Sequence, residues 1–322
     1  MTEQKSESER GLIIAGLQIP RIIAAGGERS SRRFVEFFTA NIRNRNTRQA
    51  YAQAIGQFLT WCEYRHLRIE TIDPVAVAAY IERHPGSKPT VKQHLAAIRV
   101  LFDWLVVGQI VPQNPAGSVR GPKHVVKKGK TPVLSAEQAR EFLDSINTST
   151  MIGLRDRALI GVMVYSFARI GAVVGMNVED YWQNGKRWWL RLHEKGGKHH
   201  EVPVHHNAEQ YLDAYIGAGG IQHDLKGPLF RTAVRRTGRL TTSRLTRNDA
   251  LRMIKRRASV IGLPRGTCCH TFRATGITAY LDNGGTIENA QAIAAHESPR
   301  TTKLYDRTSD EITLDEIERI VI

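Results

Sequence analysis

C-C-H-T-F-R-A-T-G-I-T-A-Y-L fills residues 268–281, and A-H-E-S-P-R-T-T-K-L-Y fills 295–305. His270 and Arg273 are three residues apart, so a helix here sets both side chains on one face. His296 follows Arg273 by 23 residues, and Tyr305 follows His296 by nine. Taken singly, these read as a helix histidine, a surface arginine and a core aromatic. Taken together they suit phosphate chemistry. Arginine offers a fixed fork of donors and stays charged at working pH. Histidine donates to a phosphate oxygen or moves a proton near neutrality. Tyrosine can form a covalent intermediate. No paired Asp/Glu set of the kind that holds Mg²⁺ accompanies them. The implied chemistry is metal-free attack of a side chain on a phosphodiester, with no cofactor expected.

Upstream, Arg169 lies in S-F-A-R-I-G-A-V-V-G-M, at the end of an apolar helix expected over 155–167. A charge in so apolar a setting is costly unless paired, so a salt bridge and a functional role are both open there. Residues 187–204, R-W-W-L-R-L-H-E-K-G-G-K-H-H-E-V-P-V, alternate as two strands around a Gly-Gly turn, with Lys195 at the tip.

The arrangement H-x-x-R, then His, then a Tyr nine residues on near the C-terminus resembles the tyrosine recombinases, the phage-integrase family. The resemblance covers roughly residues 31–322. It implies a catalytic set of Arg169, Lys195, His270, Arg273, His296 and Tyr305, with Lys198 competing with Lys195. Two positions depart from the family pattern. In the family's A-R-x-x-E-x-x-x-L context an acid stands three residues after the arginine, where this chain has Ala172. The residue that steadies the arginine is therefore absent or supplied from elsewhere. A glycine usually precedes the hairpin lysine, where this chain has Glu194.

Composition agrees with a polyanionic partner. The formal net charge is +15 and the pI about 10.0, which points to nucleic acid. No 20-residue apolar span suggests a membrane helix; Arg169 interrupts the nearest case, Leu159 to Met176. The N-terminus lacks a signal-peptide pattern. Three cysteines, Cys62, Cys268 and Cys269, form no disulfide framework, which fits a reducing, cytoplasmic setting. His193, His199, His200, His205 and His206 match no zinc-finger spacing, and no metal is expected.

Five segments follow from patterning. Residues 1–30 read as a loosely attached arm. Residues 31–119 read as a small helical bundle. Tyr51, Ile55, Phe58 and Cys62 form one stripe after Thr47 as N-cap. Val91, Leu95, Ile98, Phe102 and Leu105 form another after Pro89, and Pro74 opens a helix between them. Arg43, Arg45, Arg48, Lys88, Lys92, His94 and Arg99 are assigned to the outer faces, for phosphate contact. Residues 120–133 form a linker whose Lys123, Lys127, Lys128 and Lys130 are expected to track a DNA backbone. Residues 134–310 form the catalytic domain, opened by a capping box at Ser135–Gln138. Residues 231–257 hold ten Arg/Lys and one acid. Arg235, Arg236, Arg239, Arg244 and Arg247 are assigned to DNA. A helix capped by Thr246 is expected to turn Arg252, Lys255, Arg256 and Arg257 outward. Residues 311–322 form a terminal amphipathic helix with Ile312, Leu314, Ile317 and Ile320 on its apolar side.

The fold class this implies is mainly α with a small β-sheet: a helical, SAM-like core-binding domain and a mixed α/β tyrosine-recombinase catalytic domain. The family likeness implies a C-shaped clamp on double-stranded DNA. It implies strand exchange at a specific site by a homotetramer, through a 3′-phosphotyrosine and a Holliday junction. The terminal helix would pass to a neighbouring protomer, a groove on its own domain being the alternative, with the protein monomeric or weakly associated off DNA. The setting expected is bacterial, or a phage, plasmid or transposon, with nucleoid association. Two rivals stand beside it: a type IB topoisomerase-like nicking enzyme, and a DNA-binding module without chemistry.

Overall fold

In the computed structural model the described residues are 13–14, 17–124, 129, 131–194, 199–234 and 236–306. The chain divides into two compact units, Met1–Val125 and Val126–Ile322. Lys127, Lys128, Lys130, Lys195, Lys198, Arg235 and the expected helix over 311–322 lie outside the described residues.

The first unit opens with a small antiparallel pair, β1 (Ile13–Ile14) and β2 (Leu17–Gln18). Helices α1 (Arg21–Ala24) and α2 (Gly27–Glu36) follow. A wide five-residue helical turn, Phe37–Asn41, extends α2. The extra residue per turn lets consecutive Phe37 and Phe38 both face the core, where they meet edge to face. The loose arm expected over 1–30 needs correction in its second part. Ile19, Ile22 and Ile23 are buried in this core, and the Ile22 amide donates to Glu63 Oε1 at 2.9 Å. An apolar run broken by Pro20 and glycines reads as loop, yet its isoleucines fill the bundle.

Helix α3 (Arg45–Tyr64) is capped by Asn44, three residues before the expected Thr47. Asn44 Oδ1 accepts from the amides of Asn46 and Thr47 at 3.0 and 3.1 Å, so Thr47 is itself inside the first turn as a capped donor. Asp73 caps α4 (Pro74–Glu82), and α5 (Lys88–Val107) carries a proline in its first turn. The two expected stripes form the core, with Phe58 packed edge to face on Tyr80 and Phe102. His94 is not on the outer face. It sits three residues after Val91 and four before Ile98, on the core side, and its Nδ1 meets Tyr80 Oη at 3.0 Å and His84 Nε2 at 3.1 Å.

In the second unit, α6 (Ala136–Asp144) begins at the expected capping box: Ser135 Oγ accepts from the Gln138 amide, and Gln138 Oε1 from the Ser135 amide. Helix α7 (Met151–Tyr165) starts before the expected Arg155, because Thr150 Oγ1 caps the Gly153 amide. It also ends earlier. Phe167 adopts a left-handed backbone, φ 53°, and Arg169 becomes the N-cap of a separate helix, α8 (Ile170–Gly175). Strands β3 (Tyr181–Asn184), β4 (Arg187–His193) and β5 (His199–Pro203) form an antiparallel sheet with β4 central and Leu192 opposite His200. Helix α9 (His206–Gly219) packs on α7.

A second hairpin, β6 (Arg231–Ala233) and β7 (Leu240–Arg244), lies where only a basic run was read; strands of three and five residues leave little alternation to find. Helix α10 (Arg247–Val260) has the expected Thr246 cap. Helices α11 (Cys269–Asp282), α12 (Ile287–Ile293) and α13 (Pro299–Lys303) are the last described elements, with α11 against α7. Arg257 does not face outward. It donates through Nε and Nη2 to Oδ2 of the fully buried Asp156, whose Oδ1 takes the same fork from Arg155. This doubly forked carboxylate ties α10 to α7.

A small apolar cluster stands beside the main core of this unit. Phe167, Ile277, Leu281, Ala290 and Ala294 are buried in it, and Tyr305 packs against it.

Candidate active site

Arg273 is the centre of the site. It lies on α11, one turn beyond His270, and is 1% exposed. A buried guanidinium needs acceptors for its fork. Nη1 donates to the Phe167 carbonyl, and Nη2 donates to the Ala294 carbonyl at 2.7 Å and to His296 Nε2 at 2.7 Å. Backbone strain presents both carbonyls. Phe167 and Ala295 are non-glycine residues with φ of 53° and 46°. Such conformations cost on the order of 1–3 kcal/mol each and persist only where surroundings enforce them. Desolvation, then the charge of Arg169, lowers the Arg273 pKa to about 10; Tyr305 and Glu194 oppose the shift. The group stays cationic at neutral pH.

The protonation of His296 follows from its partners. Arginine only donates, so Nε2 accepts and the proton sits on Nδ1, pointing at Thr302 Oγ1 at 2.9 Å. Burial first, then Arg273 and Arg169, lower its pKa to about 3. His296 is thus neutral and an acceptor in this geometry. In this geometry the nitrogen facing Arg273 carries no proton.

Tyr305 lies just past Leu304, the C-cap of α13. Its ring stacks on His296, with centroids 5.8 Å apart and planes 6° apart. Its amide donates to the Thr302 carbonyl and its carbonyl accepts from Thr278 Oγ1, both at 2.9 Å. Arg273, His296 and Tyr305 therefore form one contiguous group. His270, in the first turn of α11, is exposed. Crowding round its ring, then the charges of Arg273 and Arg169, still lower its pKa, which favours the neutral form. No described hydrogen bond joins it to Tyr305.

Arg169 is partly exposed, and its Nη1 donates to Glu194 Oε2 at 2.6 Å. No acid stands at Ala172, and the carboxylate that meets Arg169 comes from Glu194, the residue after β4. The sequence held the signal, a missing carboxylate at 172 and an extra one at 194, but their adjacency depends on how α8 meets the sheet. Thr302 and Thr278 had no signal in spacing.

Several residues assigned to DNA have other work. Arg48 gives Nε and Nη2 to the Ile42 carbonyl, and Arg99 gives its fork to the carbonyls of Ala116 and Val119. Arg244 donates to the carbonyls of Val174 and Met176 and to Asn177 Oδ1, bracing the end of α8. Their long side chains bind turns from within the same unit, which helical or strand periodicity does not reveal. Arg43, Arg45, Lys88, Lys92, Lys123, Arg236, Arg239 and Arg247 are exposed. Among the described residues no group of three His, Cys, Asp or Glu side chains converges as a metal ion would need, and no helix is long and apolar enough to cross a membrane.

The family comparisons agree with the fold. Residues 132–311, more than half of the chain, match the phage integrase family, and residues 33–108 match the phage integrase N-terminal SAM-like domain. The tyrosine recombinase XerC of Syntrophus aciditrophicus (strain SB) is 27% identical over 282 residues, covering 82% of this chain and 87% of that protein. A XerH site-specific recombinase bound to palindromic difH substrate in a post-cleavage complex superposes with a TM-score of 0.67 at 18% identity, over 92% of this chain and 95% of that one. A lambda integrase tetramer bound to a Holliday junction gives 0.62 at 18% identity, over 88% and 78%. The chain belongs to the phage integrase family. It is a tyrosine-type site-specific recombinase, an enzyme of DNA strand breakage and rejoining.

Proposed function

We propose that Tyr305 is the nucleophile that cuts the DNA strand, and that Arg169 and Arg273 hold the phosphate it attacks. The observation that carries this reading is the Tyr305 ring stacked on His296, with His296 bonded to buried Arg273. Tyr305 Oη gives up its proton and bonds to phosphorus, and the bond to the 5′-oxygen breaks. The products are a 3′-phosphotyrosine and a free 5′-hydroxyl, which takes up a proton. The ester conserves the phosphodiester bond, so a 5′-hydroxyl from another strand reseals it by the reverse step. The two guanidinium groups neutralise the pentacoordinate phosphorus, where one preorganised donor is worth about 2.7–4 kcal/mol. Neutral His270 is the base for Tyr305, and Lys195 is the acid for the leaving oxygen. His296 supports Arg273 by accepting from it.

The first unit is the core-binding domain and the second the catalytic domain, and both bind double-stranded DNA. The exposed cations of both units contact phosphates. Four protomers assemble on paired sites and exchange strands through a Holliday junction, a reading supported by likeness to the lambda integrase tetramer on such a junction.

The test is a nicked suicide duplex carrying the recombination site, whose cut releases a short fragment and traps the enzyme. A 3′-linked adduct at one defined position per half-site is expected. Adducts on any sequence would favour a topoisomerase, and no adduct would favour a binding module.

A further inference from the structure

Glu194 has no part in the chemistry proposed above, yet its carboxylate is sealed in the protein. Its side chain is 3% exposed, against 34% for its partner Arg169. A carboxylate so placed is costly unless paired and hydrogen-bonded. The pair is therefore asymmetric: the acid is shut away from solvent while the guanidinium keeps open surface. An acid meant to bind a ligand would be reachable, and one facing the phosphate would repel it. This one only holds.

The other described acids of the sheet are engaged elsewhere. Asp180 faces Arg191 and His193, and Glu201 faces Arg191. Ala172, in the first turn of α8, is buried and offers no carboxylate. Glu194 also stands at the end of β4, directly before Lys195 in the chain. The hairpin it closes is tied to the site a second time. His200, opposite Leu192 on β5, donates from Nε2 to the Ile293 carbonyl at 2.9 Å, next to the Ala294 carbonyl that holds Arg273.

We infer that Glu194 is the positioning residue of Arg169. It takes one Nη and leaves the rest of the fork for phosphate. The inference rests on reading Arg169 as a phosphate-holding residue. It gives the hairpin a duty beyond carrying a lysine: the same strand end sets the arginine. Its negative charge also offsets part of the repulsion between Arg169 and Arg273, in keeping with its effect on Arg273.

The experiment is single-turnover adduct formation on the suicide duplex, with oxygen or sulfur at the bridging 5′ position of the scissile phosphate. A thiolate leaves without needing a proton, so the sulfur substrate bypasses the proton donor. Full-length wild type is compared with Glu194→Gln, Glu194→Asp, Arg169→Ala, Arg169→Ala/Glu194→Gln and Tyr305→Phe. Glu194→Gln is expected to slow adduct formation about 10- to 100-fold, by analogy with losing the orienting partner of a metal-ligating side chain. Half-site binding should be nearly unchanged, Glu194→Asp should recover part of the rate, and the defect should persist with sulfur. In the Arg169→Ala background Glu194→Gln should cost nothing further, and that comparison stands even if Glu194→Gln alone folds poorly. Wild-type rates from Glu194→Gln, full recovery with sulfur, or an added loss in the Arg169→Ala background would each overturn the inference. An adduct surviving in Tyr305→Phe would instead overturn the reading on which it rests, whatever Glu194 does.

Discussion

Replacing Arg273 with lysine keeps a positive charge and removes the fork. The guanidinium serves three buried acceptors from two nitrogens: the Phe167 carbonyl through Nη1, and the Ala294 carbonyl and His296 Nε2 through Nη2. Of its five N–H groups, Nε–H and one on Nη1 remain for phosphate and Tyr305. A lysine ammonium is a single point with three donors. If it satisfies the two carbonyls and His296, nothing is left for the phosphate. If it turns to the phosphate, at least one buried acceptor is orphaned, at about 1–3 kcal/mol. Losing one preorganised donor in the transition state costs about 2.7–4 kcal/mol, or about 10²–10³ in rate. Arg273→Lys should therefore cut the single-turnover cleavage rate by at least about a hundredfold. Half-site affinity should change little, because many phosphate contacts carry it. Quench-flow on a labelled suicide duplex and a parallel gel shift measure the two quantities. Cleavage near the wild-type rate, by a variant that still folds, would show that the fork does not meet the reacting phosphate.

Other consequences are as direct. Ile23→Ala should destabilise the first unit by about 2–5 kcal/mol in urea unfolding, the usual cost for a buried isoleucine; no effect would restore the loose arm. Arg236→Gln with Arg239→Gln should flatten the dependence of log affinity on log salt, by about 0.9 for each phosphate no longer neutralised. Arg244→Gln should instead lower the melting temperature and leave that slope alone, since its fork braces α8. Burial and the arginines hold His296 at a pKa of about 3, so the unfolded chain binds the proton first. Stability should fall as pH drops from about 6.5 toward 3, by up to about 1.4 kcal/mol per unit from this ring. His296→Asn should show a shallower slope. The difference between the two proteins isolates His296 from His94, whose pKa burial and His84 also lower.

The sequence made the helices legible where one face is apolar and one cap is local. The stripes of α3 and α5, the Ser135–Gln138 box and the Thr246 cap all read directly from spacing. The catalytic candidates were legible as a set of residue types, and Arg273, His296 and Tyr305 do meet. Their protonation was not legible, because the His296 tautomer depends on an arginine 23 residues away and on Thr302. The left-handed Phe167 and Ala295 gave no sign either; neither residue type favours φ above zero, so only the surrounding fold enforces it. Long basic side chains were the poorest guide. Arg48, Arg99, Arg244 and Arg257 look like surface charge in a stripe, yet each closes on an acceptor of its own unit. Ala172 and Glu194 were two separate irregularities in sequence; in space Glu194 pairs with Arg169.

The central claim is that Tyr305 carries the DNA. Digesting the trapped adduct with a protease and sequencing the nucleotide-bearing peptide by mass spectrometry tests it directly. The 3′-phosphate should be found on Tyr305, and Tyr305→Phe should bind the half-site normally and trap nothing. A nucleotide found on another residue, or an adduct of undiminished yield from the phenylalanine variant, would contradict the account.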